Sequence, residues 1–493
     1  MKKERETKKI IRKQRKTNRG RMINKDILKV SVFIGILFLA MTVYFVYFVG
    51  FKSESVINNT YNKRSEELKK QVTRGSIYAR NGETLAETIV GEDGSEVRSY
   101  PYGNIFAHVV GYEDNGGLGL ENSYNYYMLS ANINILEKIK NEFNGVKSVG
   151  NSINTTLDLG LQQTISSILD SAGNSACIAL DPETGEILSV VSKPDFDPNT
   201  ISSIWDEIAG DENNSILVNR ATQGLYAPGS TFKIFTLYEY MLENADSYES
   251  YSYDCTGEIT LADMTLHCYD YTAHGNESLM QSFAYSCNCS FANIGVSLNL
   301  SKFKSTNEKL LFNTDLPLDI DSNQSSFSLD KDSDEQLTMQ TAIGQGNTLV
   351  SPAHLALVMS AIANNGKLMK PHLVSSVVNS NETTIKTFDS EVYEKLFSKS
   401  EAKTLKEYLK DVVNEGTGNV LAYGNYEAYG KTGTAETISN YNVDAEAADH
   451  SWFVGGAESG DKNLVICVMV ENAQNTQTSA VQIAKQVFDY YFQ

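Results

Sequence analysis

The sequence predicts an α+β fold whose sheet is built from distant segments of the chain, preceded by a small N-terminal region with a single transmembrane helix. Three observations predict it: one uncharged segment of membrane-spanning length, two hairpin signals, and strand signals on both sides of a mostly helical middle region. Strands that are distant in the chain must then share one sheet, which is typical of α+β domains. The 493 residues, of which 41% are hydrophobic, suffice for more than one domain.

The N-terminus combines a basic tail with an apolar segment. Residues 1–29 carry 13 Lys/Arg against 3 Asp/Glu, whereas the rest of the chain carries 29 against 58. We expect a cytoplasmic tail over 1–29, without regular structure, that meets anionic lipid; the acidic remainder argues against nucleic-acid binding. Residues 30–51 contain no charge, which predicts a transmembrane helix followed by an exported chain. The alternative is a cleaved signal peptide, but no A-x-A-like site follows Phe51.

The segment 52–150 is predicted to form a small N-terminal region of mixed character, reached through a polar helical stalk over Ser53–Gln71. Its strongest signal is Asn81-Gly82 between two short apolar pairs, which favours a tight hairpin. The larger domain is predicted over 154–493. It begins with a helix over Leu161–Leu169 and a second hairpin, formed by two apolar runs around a Pro-Glu-Thr-Gly turn at 182–185.

The remaining elements of the larger domain follow in order. A mostly helical region is predicted from Pro228 to about Asn364. Strands are predicted at Lys431, over Trp452–Ala457 and over Leu464–Val470. An amphipathic helix is predicted over Ser479–Phe492, because its apolar residues recur on one face.

The first chemical motif is Ser230-Thr231-Phe232-Lys233, which follows Pro228-Gly229 and opens a run with helical periodicity. A serine hydroxyl needs a base to become a nucleophile. Ser230 and Lys233 are three residues apart, which places their side chains on one face of a helix. Burial beside another cation would lower the pKa of Lys233. A second S-x-x-K at Ser301–Lys304 lacks the Pro-Gly entry and is interpreted as a solvated surface segment.

Two further motifs follow in the chain. Ser286-Cys287-Asn288 is weak alone, because other S-x-N triplets occur in the chain; its place 56 residues after Ser230 selects it. Its hydroxyl can relay a proton and its amide can hold a peptide backbone. The chain's single K-T-G begins Lys431-Thr432-Gly433-Thr434, where the glycine permits close approach of a ligand and the other residues offer a cation and hydroxyl donors for a carboxylate.

These motifs, in this order, are those of penicillin-binding proteins and serine β-lactamases. From Arg74 to the C-terminus the chain resembles monofunctional class B penicillin-binding proteins, which are peptidoglycan D,D-transpeptidases. The matching blocks lie across both predicted domains: 74–86, 180–199, 219–221, 226–233, 344–346, 363–366 and 451–453. The resemblance implies the serine β-lactamase/penicillin-binding transpeptidase fold, an antiparallel sheet flanked by helices, over 154–493. It also implies a compact non-catalytic pedestal of dimerisation type over 52–150 and no metal or organic cofactor.

The resemblance also implies the reaction and the catalytic residues. Ser230 would attack the penultimate D-Ala carbonyl of a stem peptide, and Lys233 would take its proton. Ser286 would help to protonate the leaving D-Ala amine, while Lys431 would maintain the electrostatic potential of the site. An amine of a second stem peptide would then resolve the acyl-enzyme, and β-lactam antibiotics would trap Ser230.

Substrate binding is implied for the other motif residues. The hydroxyls of Thr432 and Thr434 would bind the terminal carboxylate, with Gly433 between them, and Asn288 would bind the donor backbone. The N–H groups of Ser230 and Thr434 would form an oxyanion hole. Because 52–150 is too short for a glycosyltransferase domain, the resemblance implies a separate polytopic glycan polymerase of the FtsW/RodA type as a partner that contacts residues 30–150.

Two other functions are less consistent with the sequence. A membrane-anchored serine β-lactamase needs a deacylating base, and no glutamate lies between Lys309 and Asp334, where class A enzymes would carry one. A β-lactam sensor needs a signalling region inside the cell, and only about 29 residues are predicted there.

The six cysteines leave one question open. No C-x-x-C pair occurs, which argues against a zinc site. Export permits disulfides, and Cys255 and Cys268 flank a short segment that a bridge could close; free buried thiols are the alternative for all six.

Overall fold

The computed structural model describes residues 1–48, 64–209, 215–261, 264–437, 448–476 and 478–493. These residues separate into one unit over Met1–Lys63 and a second over Arg64–Gln493. In the first unit α1 (Lys2–Tyr47) is one continuous helix, so the expectation of an irregular tail over 1–29 is wrong. The tail contains no proline and is rich in Lys and Arg, which are good helix formers.

The apolar part of α1 is long enough to cross a membrane. Ile27–Tyr47 contains 21 residues, and at about 1.5 Å per residue this matches a hydrocarbon core of about 30 Å. By length and composition it is a candidate membrane anchor. The end of the predicted span at 49–51 and the first part of the predicted stalk, 53–63, lie outside the described residues.

The second unit begins with the region predicted as a pedestal. The predicted hairpin around Asn81-Gly82 is confirmed, since β2 and β3 pair in antiparallel fashion. Gly82 has a φ of +93°, which a side chain would disfavour. The elements of this region are α2 (Arg64–Gln71), β1 (Val72–Thr73), β2 (Ile77–Tyr78), β3 (Thr84–Val90), β4 (Glu96–Ser99), α3 (Gly119–Ser123), α4 (Asn125–Met128), α5 (Ile135–Phe143), β5 (Ser148–Val149) and β6 (Ser152–Thr155).

A buried ion-pair network holds this region together. Arg74 Nε donates to Glu121 Oε2 at 2.6 Å, and Arg98 Nε donates to Glu121 Oε1 at 2.8 Å. The Glu121 side chain is fully buried and that of Arg74 is 4% exposed. Arg74 also donates to the side chain of Asn125. A carboxylate so deeply buried is tolerated only because cations and donors surround it.

Replacing Arg74 by alanine is expected to lower the free energy of unfolding by about 3 kcal/mol, because Glu121 then keeps only Arg98 as a charged partner. Urea denaturation of the full chain in detergent, followed by circular dichroism, measures the change. Lys70→Ala is the control, because it removes an exposed pair with Glu67 and should change the free energy by less than about 0.5 kcal/mol. Equal effects of the two substitutions would contradict the prediction.

The elements that follow belong to the region predicted as the larger domain. They are α6 (Leu159–Leu169), β7 (Ser175–Leu180), β8 (Ile187–Lys193), α7 (Ile201–Ala209), α8 (Lys233–Glu243), β9 (Ser252–Cys255), β10 (Glu258–Leu261), β11 (Met264–His267), β12 (Gly275–Ser278), α9 (Leu279–Ala284), α10 (Asn288–Ser297), α11 (Leu300–Lys309), α12 (Glu335–Ala342), α13 (Pro352–Ala363), β13 (Lys367–Met369), β14 (Val374–Val378), β15 (Thr384–Thr387), β16 (Val392–Lys395), α14 (Lys399–Asn414), β17 (Glu427–Thr437), β18 (Ala448–Ser459), β19 (Lys462–Val470) and α15 (Ala480–Tyr491).

The central sheet has the strand order β17-β18-β19-β7-β8, and every pairing is antiparallel. Successive residues of β19 alternate between two cores. Val465, Cys467 and Met469 share one core with α13, whereas Ile466 and Val468 share the other with α6 and α15. The predicted antiparallel sheet flanked by helices is therefore confirmed, as are the second hairpin and the C-terminal helix.

A second sheet joins the two predicted domains. Its strand order is β15-β14-β6-β2-β3-β4, so β14 and β15, which come late in the chain, extend the sheet of the pedestal region. The predicted domain boundary at 150–154 falls at β6, which pairs in parallel with β2 and antiparallel with β14.

The middle region is less helical than expected. Between α8 and α9 the chain forms two short antiparallel pairs, β9 with β12 and β10 with β11. Tyrosine, threonine and isoleucine in 251–265 favour strands, and Gly257 has a φ of +96° that a helix cannot accept. These strands matter because they pack beside the S-x-N motif.

Candidate active site

The nucleophile motif lies where a tight turn leads into a helix. Gly229–Phe232 forms a 3-10 turn that runs directly into α8, so Ser230 precedes the α-helix predicted to contain it. Gly229 has a φ of +54°, and Thr231 Oγ1 donates to Pro228 O at 2.7 Å. Because side chains three residues apart eclipse in a 3-10 turn, Ser230 and Lys233 point the same way.

Lys233 is the centre of the site. Its Nζ lies 2.8 Å from Ser230 Oγ and 3.2 Å from Ser286 Oγ, the hydroxyls of the first and second motifs. It also donates to Ser286 O at 2.9 Å and to Asn288 Oδ1 at 2.7 Å. The side chain is completely buried, with the ring of Phe291 5.8 Å from Nζ. One amine thus bridges two hydroxyls and can move a proton between them.

Two buried lysines shape the electrostatics of the site. Burial lowers the pKa of Lys233 to about 8, against the opposing effect of nearby thiols and of Glu277. Burial, and then the charge of Lys233, lowers the pKa of Lys431 well below its ordinary value. Lys431 Nζ lies 5.6 Å from the centre of the Phe283 ring and 3.3 Å from Thr432 O. A lysine with a pKa near neutrality can serve as a base.

The second motif lies at the junction of α9 and α10. Ser286 has a φ of +61°, an uncommon conformation for a residue with a side chain, which brings its hydroxyl and its carbonyl to the same amine. Cys287 caps α10, since its Sγ accepts from Ser290 N at 3.3 Å. Asn288 Nδ2 donates to His267 O at 3.0 Å, which fixes its amide oxygen toward Lys233.

The third motif runs along the sheet edge beside the nucleophile turn. A Cβ added to Gly433 would lie 2.9 Å from Thr231 Cγ2 and 3.2 Å from Pro228 O, so this glycine lets β17 approach the turn. Thr432 Oγ1 lies 2.5 Å from Thr417 Oγ1. Thr434, on the same strand, is exposed. Hydroxyls of this kind can donate hydrogen bonds to a carboxylate.

The structure brings together all the residues singled out from the sequence: Ser230, Lys233, Ser286, Asn288, Lys431, Thr432, Gly433 and Thr434. The S-x-x-K at Ser301–Lys304 lies on α11, where Ser301 is exposed, as expected for a surface segment. Sequence reasoning missed the support behind these residues. Gly229 N donates to Gly344 O at 2.9 Å, and Trp452 Nε1 donates to Ala227 O at 3.1 Å.

None of the six cysteines forms a disulfide, so the bridge considered between Cys255 and Cys268 is absent; their sulfurs lie 3.7 Å apart. Instead, four thiols gather directly behind the S-x-N motif. The C-x-C spacing of Cys287 and Cys289 was the sequence signal for this cluster.

The site has the parts that acyl transfer requires: a serine hydroxyl in hydrogen-bond contact with a buried lysine, and an edge strand beside it. Residues 175–489 match the penicillin binding protein transpeptidase domain family, and residues 74–153 match the penicillin binding protein A dimerisation domain. The first match covers more than half of the chain, and the protein therefore belongs to the penicillin-binding protein transpeptidase family.

Relatives agree with this assignment. The chain is 27% identical to the peptidoglycan D,D-transpeptidase MrdA of Haemophilus influenzae over 88% of its own length and 71% of the relative. It is 27% identical to the peptidoglycan D,D-transpeptidase PbpA of Mycolicibacterium smegmatis over 91% and 94% of the two chains. The solved D,D-transpeptidase domain of a peptidoglycan glycosyltransferase from Eggerthella lenta superposes with a TM-score of 0.75 at 27% identity, covering 86% of this chain and 98% of that one. The predicted penicillin-binding transpeptidase fold is confirmed.

Proposed function

We propose that this penicillin-binding peptidoglycan D,D-transpeptidase forms its acyl-enzyme on Ser230, with Lys233 as the base. The observation that carries the proposal is the position of Lys233 Nζ, 2.8 Å from Ser230 Oγ and 3.2 Å from Ser286 Oγ. A general base must lie within hydrogen-bond reach of the proton that it removes. Lys233 meets this condition for both hydroxyls.

In the acylation step, Ser230 Oγ attacks the penultimate D-Ala carbonyl of a stem peptide while its proton passes to neutral Lys233. The tetrahedral oxyanion is held by the N–H groups of Ser230 and Thr434. The C–N bond to the terminal D-Ala then breaks, and a proton passes from Lys233 through Ser286 to the departing amine. The contacts of Lys233 with both serines support this path.

Substrate binding uses the residues around this centre. The hydroxyls of Thr432 and Thr434 bind the terminal carboxylate, and Lys431 contributes positive potential. Asn288 aligns the donor backbone, with its own amide anchored on His267 O. In the second step an amine of a neighbouring stem peptide attacks the ester and restores Ser230. β-Lactams acylate the same hydroxyl because they present a strained amide in place of the D-Ala-D-Ala bond.

The domain roles and the surroundings are part of the proposal. Residues 52–150 form the non-catalytic pedestal and 154–493 the transpeptidase domain, as the separate family matches over 74–153 and 175–489 support. The basic tail 1–29 lies in the cytoplasm and the catalytic domain outside it, because Lys/Arg cluster before the apolar segment. Cross-linking then needs glycan strands from a FtsW/RodA-type polymerase that contacts residues 30–150. To test the contact, residues 30–51 are exchanged for an unrelated transmembrane segment. If the polymerase still co-purifies unchanged, residues 30–51 are not part of the contact.

The reaction class is tested with a thioester that ends in D-Ala, supplied with a D-amino acid as acceptor. A transpeptidase transfers the acyl group to the amine, so amide product should exceed free acid once acceptor is abundant. The lifetime of the penicilloyl adduct separates this function from that of a β-lactamase. An adduct that persists for many minutes supports the transpeptidase, and turnover within seconds contradicts it.

The acylation rate should depend on pH through Lys233. Below its pKa of about 8 the amine is protonated and cannot accept the serine proton, so the rate should rise about tenfold per pH unit at lower pH and level off above 8. The charged and titratable groups that face it are Lys431, Glu277, Cys268, Cys287 and Cys289. The second-order rate of acylation by a fluorescent penicillin between pH 6 and 9 measures this. A flat profile would exclude Lys233 as the base.

A further inference from the structure

Four buried thiols and one imidazole converge behind the S-x-N motif. The sulfurs belong to Cys255, Cys268, Cys287 and Cys289, each at most 3% exposed, and the imidazole belongs to His274. The atoms that Cys255, Cys268, His274 and Cys287 offer as ligands all lie within 4.8 Å of one another. We call these four residues the thiol–imidazole cluster.

The local fold brings the cluster together from three segments. In the pairing of β9 with β12, Cys255 lies opposite Gly275, which places His274 beside it. The hairpin of β10 and β11 returns the chain to Cys268, whose N–H donates to Gly257 O at 2.9 Å. Cys287 enters from the start of α10, where its sulfur already accepts the N–H of Ser290. The backbone structure thus places these four residues next to one another.

The distances within the cluster match a tetrahedral metal site. Zinc bonds of about 2.3 Å to sulfur and 2.0–2.1 Å to nitrogen require about 3.8 Å between two sulfurs and about 3.5 Å between sulfur and nitrogen. Here Cys255 Sγ lies 3.7 Å from Cys268 Sγ and 3.5 Å from His274 Nδ1. Cys268 Sγ lies 3.7 Å from Cys287 Sγ. Three edges of the tetrahedron therefore have the expected lengths.

We propose that the thiol–imidazole cluster binds one zinc ion through Cys255 Sγ, Cys268 Sγ, Cys287 Sγ and His274 Nδ1. Three thiolates and one neutral imidazole form a closed, four-coordinate set, which is the form of structural zinc sites. The absence of a C-x-x-C pair argued against zinc from the sequence. The ligands instead come from separate strands and a helix start, a spacing that no short motif describes.

The arrangement is less suited to the alternatives. A disulfide joins two sulfurs, but Cys268 Sγ approaches those of Cys255, Cys287 and Cys289 almost equally, at 3.7, 3.7 and 3.4 Å. A disulfide also has no use for the nearby imidazole of His274. Free buried thiols pack as small apolar groups and need no convergence on a nitrogen.

The proposed ion would position the catalytic second motif. Cys287 lies between Ser286 and Asn288, both of which contact Lys233 Nζ. Ser286 keeps an uncommon positive φ, and such a conformation persists only where the surroundings enforce it. A metal bond to the adjacent residue supplies that constraint. The cysteine and histidine ligands are positioning residues, because none of their contacts is to the reacting serine.

The first test is the metal content of the full chain, purified without chelators and measured by mass spectrometry of the elements. About one zinc per chain is expected, and Cys268→Ser or His274→Ala should remove most of it. Cys177→Ala, in the separate core of the central sheet, and Cys289→Ala should keep the metal. Loss of zinc in Cys289→Ala would overturn the ligand set.

If the variants fail to fold, the wild-type chain still tests the site. Cobalt exchanged into it should give a tetrahedral d–d spectrum with thiolate charge-transfer bands. Metal-free wild-type protein in which Cys255, Cys268 and Cys287 are alkylated as free thiols or found in disulfides would refute the site.

A second arm tests the positioning role and rests on the proposed function. Removing zinc with a chelator should lower the penicillin acylation rate at least tenfold, and added zinc should restore it. Unchanged acylation of the metal-free chain would overturn the positioning role. Metal content does not depend on catalysis, so failure of Ser230 as nucleophile would leave the first test unaffected.

Discussion

Lys233→Ala is expected to lower the second-order rate of penicillin acylation by about 10²- to 10⁴-fold, the usual contribution of a general base. The substitution removes the amine 2.8 Å from Ser230 Oγ and also the contacts that hold Ser286 and Asn288. Lys233→Arg separates these two effects. Arginine keeps a positive charge and donors but cannot accept a proton, so it should remain nearly as slow as alanine.

The matched control for this prediction is Lys304→Ala, which removes the lysine of the second S-x-x-K on α11. Its acylation rate should equal that of the wild type. Fast acylation in Lys233→Arg would show that charge alone suffices and that Lys233 is not the base. Thermal unfolding of each variant distinguishes a lost base from a lost fold.

Gly344→Ala is expected to lower acylation about 10²-fold, the cost of misplacing reacting groups by about 1 Å. A Cβ at this position would lie 1.8 Å from Gly229 O, an impossible contact that only movement of the nucleophile turn can relieve. The backbone of Gly229 cannot move aside easily, because it is itself packed against β17: a Cβ built on Gly229 would lie 2.4 Å from Thr434 O. The strain therefore passes to Ser230, the next residue.

Gly346→Ala is the control for this effect. Gly344 and Gly346 have φ angles of +83° and +82°, so alanine costs similar backbone strain at both. The nearest atom to a Cβ on Gly346 is 3.4 Å away, which is an ordinary contact. Acylation in Gly346→Ala should stay near the wild-type rate. Equal losses in both variants would mean that general destabilisation, and not displacement of the turn, is responsible.

Much of the catalytic geometry could be predicted because it is encoded locally. Ser230 and Lys233 share a face through their spacing alone, and Pro228-Gly229 marks the turn before them. The pairing of β7 with β8 followed from two apolar runs and a turn between them. The convergence of the three motifs did not follow from spacing; it was implied by resemblance to a family.

What could not be predicted depends on long-range packing. The contact between Gly229 and Gly344 joins residues 115 positions apart, and neither glycine carries a signal for its partner. The sequence also carries no signal for the buried ion pair between Arg74 and Glu121, because charged side chains are usually exposed. The sequence leaves open either a Cys255–Cys268 bridge or free buried thiols at all six cysteines, whereas in the structure the start of α10 brings two more sulfurs to the same place.

The most direct test of the central claim is the site of covalent attachment after reaction with penicillin. Intact mass and peptide mapping should find one penicilloyl group on Ser230, and Ser230→Ala should carry none. Ser301→Ala, which removes the exposed serine of the second S-x-x-K, should be labelled like the wild type. An adduct that persists in Ser230→Ala, or that maps to another residue of the wild-type chain, would contradict the account.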